Sequence, residues 1–180
     1  MAAARDQRRL ASLSDHLASS SATATVTAGG AACDSGGGPR PKIAAVVTEY
    51  RRYSHAQHIC DRFLIGYGWE NHHHRPAVDL VALFVDQSGE NDLSDSRCDE
   101  FLSLKKYGTI AEALCCGGDT LAVDGVLLIG EHGDYPKNEL GMTLYPRYEF
   151  FQEIVAVFRS SGRTCPSVVQ CVYTSVCGST

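Results

Sequence analysis

The sequence predicts an α/β fold of three layers, a mostly parallel sheet with helices on both faces, preceded by a disordered N-terminal tail. Three observations predict it. Continuous apolar runs that stop at polar residues recur at 42–48, 78–85 and 122–129, the pattern of strands covered on both faces. Segments with helical spacing alternate with these runs, and parallel neighbours need such crossovers. The first 40 residues, by contrast, are built from Ala, Ser, Thr and Gly and end in GGGPRP. That composition cannot bury enough apolar surface to offset its ordering entropy.

The tail over 1–40 reads as flexible chain. Arg5, Arg8 and Arg9 near its front also resemble an organelle transit peptide, the alternative for this segment. The run LASLSDHLASSSATATV after Arg8-Arg9 is too polar for the apolar core of a twin-arginine export signal. Then KIAAVVT supplies the first strand. Ser54 caps a helix starting at His55, in which Ile59, Cys60, Phe63, Leu64 and Tyr67 repeat at helical spacing. Gly66, Gly68, His72, His73, His74 and Pro76 interrupt the pattern and predict a loop, followed by the second strand ending at Asp86. Phe101, Leu102 and Leu104 place a second helix, and Thr109 caps a short third one, IAEALC, stopped by Gly117-Gly118. A strand over 122–129 comes next. Pro146 leads into a helix over 148–159, carrying Phe150, Phe151, Ile154, Val155 and Phe158 and ended by Gly162. The β-branched stretch 167–174 predicts a final strand.

A chain of 180 residues with 44% hydrophobic and 21% charged residues suits one well-buried domain, placed at 41–180. The net charge of −5 without a basic run argues against nucleic acid or an anionic membrane as partner, since both need a Lys/Arg field. No apolar stretch approaches the roughly 18 residues that cross a bilayer. The expectation is a soluble, cytoplasmic protein, or an organellar one if the tail is a transit peptide, with a small molecule as its ligand. Among the cysteines, Cys60, Cys115 and Cys116 sit inside apolar helical patterns and read as buried free thiols. With no C-x-x-C pair in the chain, a cysteine metal site is not expected.

In parallel sheets ligands sit outside the carboxyl ends of the strands. Three such ends carry polar groups. The first offers Thr48, Glu49, Tyr50, Arg51, Arg52, Ser54 and His55, the second Asp86, and the third the run GEHGDY with Glu131, His132, Asp134 and Tyr135. Asp86 stands where a dinucleotide-binding domain keeps an acid for ribose hydroxyls. Arg51, Arg52 and the helix start at Ser54 can hold an anion. Glu49, Arg51, Ser54, His55, Asp86 and Glu131 are therefore assigned to a cofactor, and His132, Asp134 and Tyr135 to the chemistry. No metal ligand set is assigned in this reading.

The order of elements resembles the N-terminal domain of the Gfo/Idh/MocA-like oxidoreductases. The resemblance rests on KIAAVV, VDLVALFVDQ, KKYGTIAEAL, VDGVLLIGEHGDY and the long helix leading to SGRTCPSVV, over about 42–170. The segments TEYRRYSHA, GEHGDYPKNELG and TLYPRYEFFQEIVAVF also look like a set of uncharacterised bacterial proteins with a related Rossmann-like fold. The resemblance implies a Rossmann-like nucleotide- or dinucleotide-binding domain of oxidoreductase type, with NAD or NADP as cofactor. Two departures are visible. VTEYRRYSHA lacks the glycine-rich phosphate loop, and VVQCVYTSVCGST has no counterpart of that family's Glu-Lys-Pro motif. If the resemblance holds, the ending reads as a C-terminal truncation of a longer protein. Two other functions stay open: a metal-assisted hydrolase using His132, Asp134 and His55 around a bound water, and a non-catalytic interaction module.

Overall fold

The computed structural model describes residues 38–170. The expected tail and the last residues of the final strand lie outside them. Strand β1 (Lys42–Val47) is followed by α1 (His55–Leu64), a hairpin of β2 (Tyr67–Trp69) and β3 (His72–His74), and β4 (Asp79–Val85). Then come α2 (Ser94–Glu100), β5 (Lys105–Tyr107), α3 (Ile110–Leu114), β6 (Gly125–Ile129), α4 (Arg147–Ser161) and β7 (Ser167–Gln170). Five strands form one sheet in the order β5-β4-β1-β6-β7, and every pairing in it is parallel. Counting only the strands of this sheet, the order is 3-2-1-4-5, the first five positions of a doubly wound α/β sheet. The order reverses between β1 and β6.

Alternation along the strands splits the core into two layers. Ala44, Val46, Ala82, Val126 and Leu128 pack with Ile110 and Leu114 of α3 and Phe150, Ile154 and Val157 of α4. Ala45, Val47, Leu83, Val85 and Ile129 face the other way, onto Ala56, Cys60 and Leu64 of α1. Helices thus cover both faces, as continuous apolar strands require. Val81 is an extra residue in β4, because Ile43 pairs with Leu80 and Ala44 with Ala82. This bulge lets Leu80 and Leu83 share a face although three residues separate them.

Local signals explain most boundaries. The Ser54 hydroxyl accepts from Gln57 N at 3.1 Å while the Gln57 side chain accepts from Tyr53 N at 2.6 Å, a reciprocal cap at the start of α1. Thr109 and Glu112 form a capping box on α3. Removing that box with Thr109→Ala is expected to lower stability by about 1 kcal/mol. An unchanged denaturant midpoint would show that α3 is held by packing alone. Gly162 ends α4 with φ 61 in the left-handed region.

Three expectations change. The histidine loop is a β-hairpin, because Glu70 and Asn71 both take positive φ (49 and 62) and make the two-residue turn that suits strand twist. The second helix ends before the apolar residues that suggested it. Phe101 is its C-cap, Leu102 is 87% exposed and Leu104 is buried in the following turn, so their spacing is not a helix face. The third strand of the sheet, β5, was not expected from KKY. Of the five cysteines that are free thiols among the described residues, Cys60 and Cys115 are buried as expected, and Cys116 is only half-buried. Burial pushes the Cys60 thiol up to about 12, which keeps it inert at neutral pH.

One polar knot positions the loop after β1. Asp61 of α1 receives two bonds from the Arg97 guanidinium of α2, at 2.9 and 2.8 Å, and one from the Tyr50 hydroxyl at 2.6 Å. Burial works to raise the Asp61 carboxyl, but Arg97 and Tyr50 outweigh it and hold it below its ordinary value. Tyr50 also accepts from Leu93 N through its carbonyl at 2.7 Å. Both neighbours of Tyr50, Glu49 and Arg51, are thereby set at the rim of the sheet.

Candidate functional site

The polar groups expected to converge do so at the carboxyl ends of β4, β1 and β6. β1 leads into Thr48 and Glu49, β6 into Gly130, Glu131 and His132, and α1 begins at His55. This is the switch point, where neighbouring connections leave on opposite faces and open a crevice.

Glu131 is the most buried charged residue of the rim, 6% exposed. Its Oε2 lies 2.6 Å from His55 Nδ1 and its Oε1 3.8 Å from the Arg147 guanidinium. His132 Nε2 lies 3.2 Å from the same His55 Nδ1, with the two rings 5.2 Å apart and 10° from parallel. The backbone here is held from two sides. The Thr48 hydroxyl donates to the Glu131 carbonyl, and Arg147 Nε donates to the Gly130 carbonyl at 2.7 Å. His132 is fixed in the left-handed region with φ 67, a conformation that costs a non-glycine residue about 1 kcal/mol or more. Partial burial, the Arg51 guanidinium and the His55 ring hold the His132 imidazole below its ordinary value, so it is neutral at pH 7.

Beyond His132 the loop crosses β1 and fastens onto the end of β4. Gln87 makes a two-way clamp with the Asp134 backbone, accepting from Asp134 N at 2.9 Å and donating to Asp134 O at 3.2 Å. The Tyr135 hydroxyl donates to Asp86 Oδ2 at 2.7 Å. Burial and this bond to Asp86 push the Tyr135 phenol well above its ordinary value. Gly133 makes the crossing possible. Its φ is 107, and a Cβ there would stand 2.5 Å from the Tyr135 ring. A cavity of about 150 Å³ remains between the loops after β1 and β4, lined by Glu49, Arg51, Gln87 and Asp92 among others.

The sequence-derived site residues therefore separate into two groups on one rim. His55, Glu131 and His132 meet directly. Asp86 and Tyr135 meet each other, and Asp134 joins them through its backbone while its side chain is exposed. Arg51 bonds Glu49 at 2.8 Å, and Ser54 is a helix cap, its hydroxyl turned to Gln57 N. His58 is exposed. Three residues that hold the site were not assigned to it from the sequence. Arg147 reaches it from the first turn of α4, Thr48 from the end of β1 and Gln87 from beside Asp86. Arg147 had no local signal, since its partner Gly130 is 17 residues away.

Comparisons with protein-family models, with curated proteins and with solved structures find no match to this chain. Among the described residues no helix is long and apolar enough to cross a membrane.

Proposed function

We propose that this chain is a nucleotide- or dinucleotide-binding domain of oxidoreductase type, taking NAD or NADP at the crevice between β1 and β6. The observation that carries the reading is the parallel strand order 3-2-1-4-5, with Asp86 at the end of the second strand of that count. In this arrangement an acid at that point accepts hydrogen bonds from ribose hydroxyls. The residues fit the ribose side of such a ligand once the Tyr135 hydroxyl leaves Asp86. On the phosphate side the loop has no glycine, so Arg51 and Arg52 supply the positive charge in place of backbone N–H groups.

The cavity of about 150 Å³ beside the crevice is lined by the loops after β1 and β4 and is smaller than the roughly 300 Å³ that small-molecule sites begin at. Access to Asp86 requires the Tyr135 hydroxyl to leave it, which moves the loop that carries Tyr135. A bound nicotinamide supplies hydride transfer. The chain's own contribution is orientation of the cofactor by Asp86 and the arginines, with the His132 loop on the rim of the same crevice.

The test is a thermal-unfolding series on the full chain with NAD, NADH, NADP, NADPH and AMP. A ligand present at about 100 times its dissociation constant is expected to add roughly 2.7 kcal/mol of stability and raise the midpoint by several degrees. Asp86→Ala is expected to abolish the shift, read against the variant's own unliganded midpoint, which falls by a few degrees because the Tyr135 hydroxyl loses its acceptor. A cooperative transition that none of the five compounds moves overturns the reading.

A further inference from the structure

We infer that His55, Glu131 and His132 form a binding site for one divalent transition-metal ion. Their convergence, their lone pairs and the support around them point to it independently of the nucleotide reading.

The first step is convergence. One ligand atom from each of the three residues lies within 4.8 Å of the other two. Ligands on a four-coordinate ion at about 2.0–2.1 Å stand roughly 3.3 Å from one another. Two of the separations here, 2.6 Å for Glu131 to His55 and 3.2 Å for His132 to His55, fall just short of that spacing, so an ion would draw the Glu131 and His55 atoms slightly apart. The second step is the count of hydrogens. His55 Nδ1 carries at most one, yet a carboxylate oxygen and an imidazole nitrogen both face it. A cation at the shared focus would accept a lone pair from each of the two ring nitrogens and from the carboxylate at once. Loading needs the rings, now 10° from parallel, to tilt so that both nitrogens aim at one point.

The third step is support around the ligands. Glu131 is held by its carbonyl through Thr48, and its second oxygen faces Arg147, which also grips Gly130. Carboxylate ligands are oriented by outer partners of this kind. The strained backbone at His132 is a further cost borne to keep its ring beside the other two. Two imidazoles with one carboxylate select zinc, iron(II), cobalt(II) or manganese(II) over calcium or magnesium. Three protein ligands leave positions open for water or for an oxygen of a bound small molecule. Asp134, paired with these histidines in the sequence-based hydrolase expectation, is not in the group, and Glu131 takes its place.

The test is a cobalt(II) titration of the full chain, stripped with chelator and free of any purification tag. His72, His73 and His74 are replaced together by Ala so that the exposed hairpin cannot bind the ion. One cobalt per chain is expected, with the visible absorption of a low-coordinate ion, displaced by one equivalent of zinc. Glu131→Gln and His132→Ala are each expected to weaken binding at least 100-fold. Far-ultraviolet dichroism of both variants checks that they fold. Absence of bound cobalt overturns the inference, as does binding unchanged in both variants. The nucleotide series separates this result from the function proposed above. Cobalt bound with no nucleotide shift supports the metal site and removes the oxidoreductase reading, leaving a metal-assisted hydrolase or a metal-bearing interaction module. A nucleotide shift with no cobalt does the reverse.

Discussion

Asp61→Ala is expected to lower the unfolding free energy by about 2 kcal/mol, because Arg97 loses both bonds to Asp61 and keeps Glu100, at 2.9 Å, as its remaining counter-charge. The Arg97 side chain is 18% exposed and that of Asp61 16%, so solvent replaces the lost bonds only in part. Tyr50, 1% exposed, loses its acceptor as well. Asp61→Asn keeps the shape and an acceptor, and separates charge from hydrogen bonding. Acid tests the same pair. The folded-state pKa of Asp61 lies below its ordinary value, so its stabilising contribution is complete above about pH 4 and is lost as pH falls through the lower folded value. The stability difference between the parent and Asp61→Asn should therefore shrink progressively below about pH 4. A loss under 1 kcal/mol in Asp61→Ala, or a difference that does not vary with acid, would mean the pair behaves as an ordinary surface ion pair. The consequence reaches the site, because Tyr50 stands between Glu49 and Arg51 at the rim.

Tyr135→Phe is expected to tighten nucleotide binding about tenfold. In the parent, Asp86 already accepts the Tyr135 hydroxyl at 2.7 Å, and a hydrogen bond to an ionised group contributes roughly 1.5 kcal/mol or more. A ribose must displace that bond, so the competent state is a minor one and apparent affinity falls in proportion. Removing the hydroxyl lifts this competition and leaves the ring contact with Tyr145, centroids 5.7 Å apart, in place. Calorimetry of the best nucleotide against parent and variant reads the change. Weaker binding in Tyr135→Phe would instead mean that the hydroxyl touches the ligand, which is the chemical role the sequence pattern assigned to it.

Much of the fold was legible because it is encoded locally. Ser54 and Thr109 mark helix starts by side-chain capping, Gly162 marks an end by its backbone freedom, and the apolar runs of β1, β4 and β6 need cover on two faces wherever they lie. The hairpin at Tyr67–His74 was missed because its turn uses Glu70 and Asn71 at positive φ, where glycine would have been the visible signal. The misplaced second helix came from reading Phe101, Leu102 and Leu104 as a face, when only their packing distinguishes Leu104, buried, from Leu102, exposed.

What the sequence by itself determined was the layer architecture and the strand ends at which polar residues accumulate. Both follow from short-range rules of periodicity, capping and turn chemistry. What only the tertiary structure decided was the grouping. Strand order brings β6 beside β1 and so sets Glu131 and His132 against His55, 76 and 77 positions away. The left-handed turn at His132 and Gly133 then sends Tyr135 across to Asp86, while Asp134, only two residues from His132, keeps its side chain in solvent. Proximity along the chain suggested His132 with Asp134. Through-space pairing chose His132 with Glu131, because side-chain direction at a turn is set by backbone dihedrals and by anchors such as Thr48 and Arg147 that lie far off in the sequence.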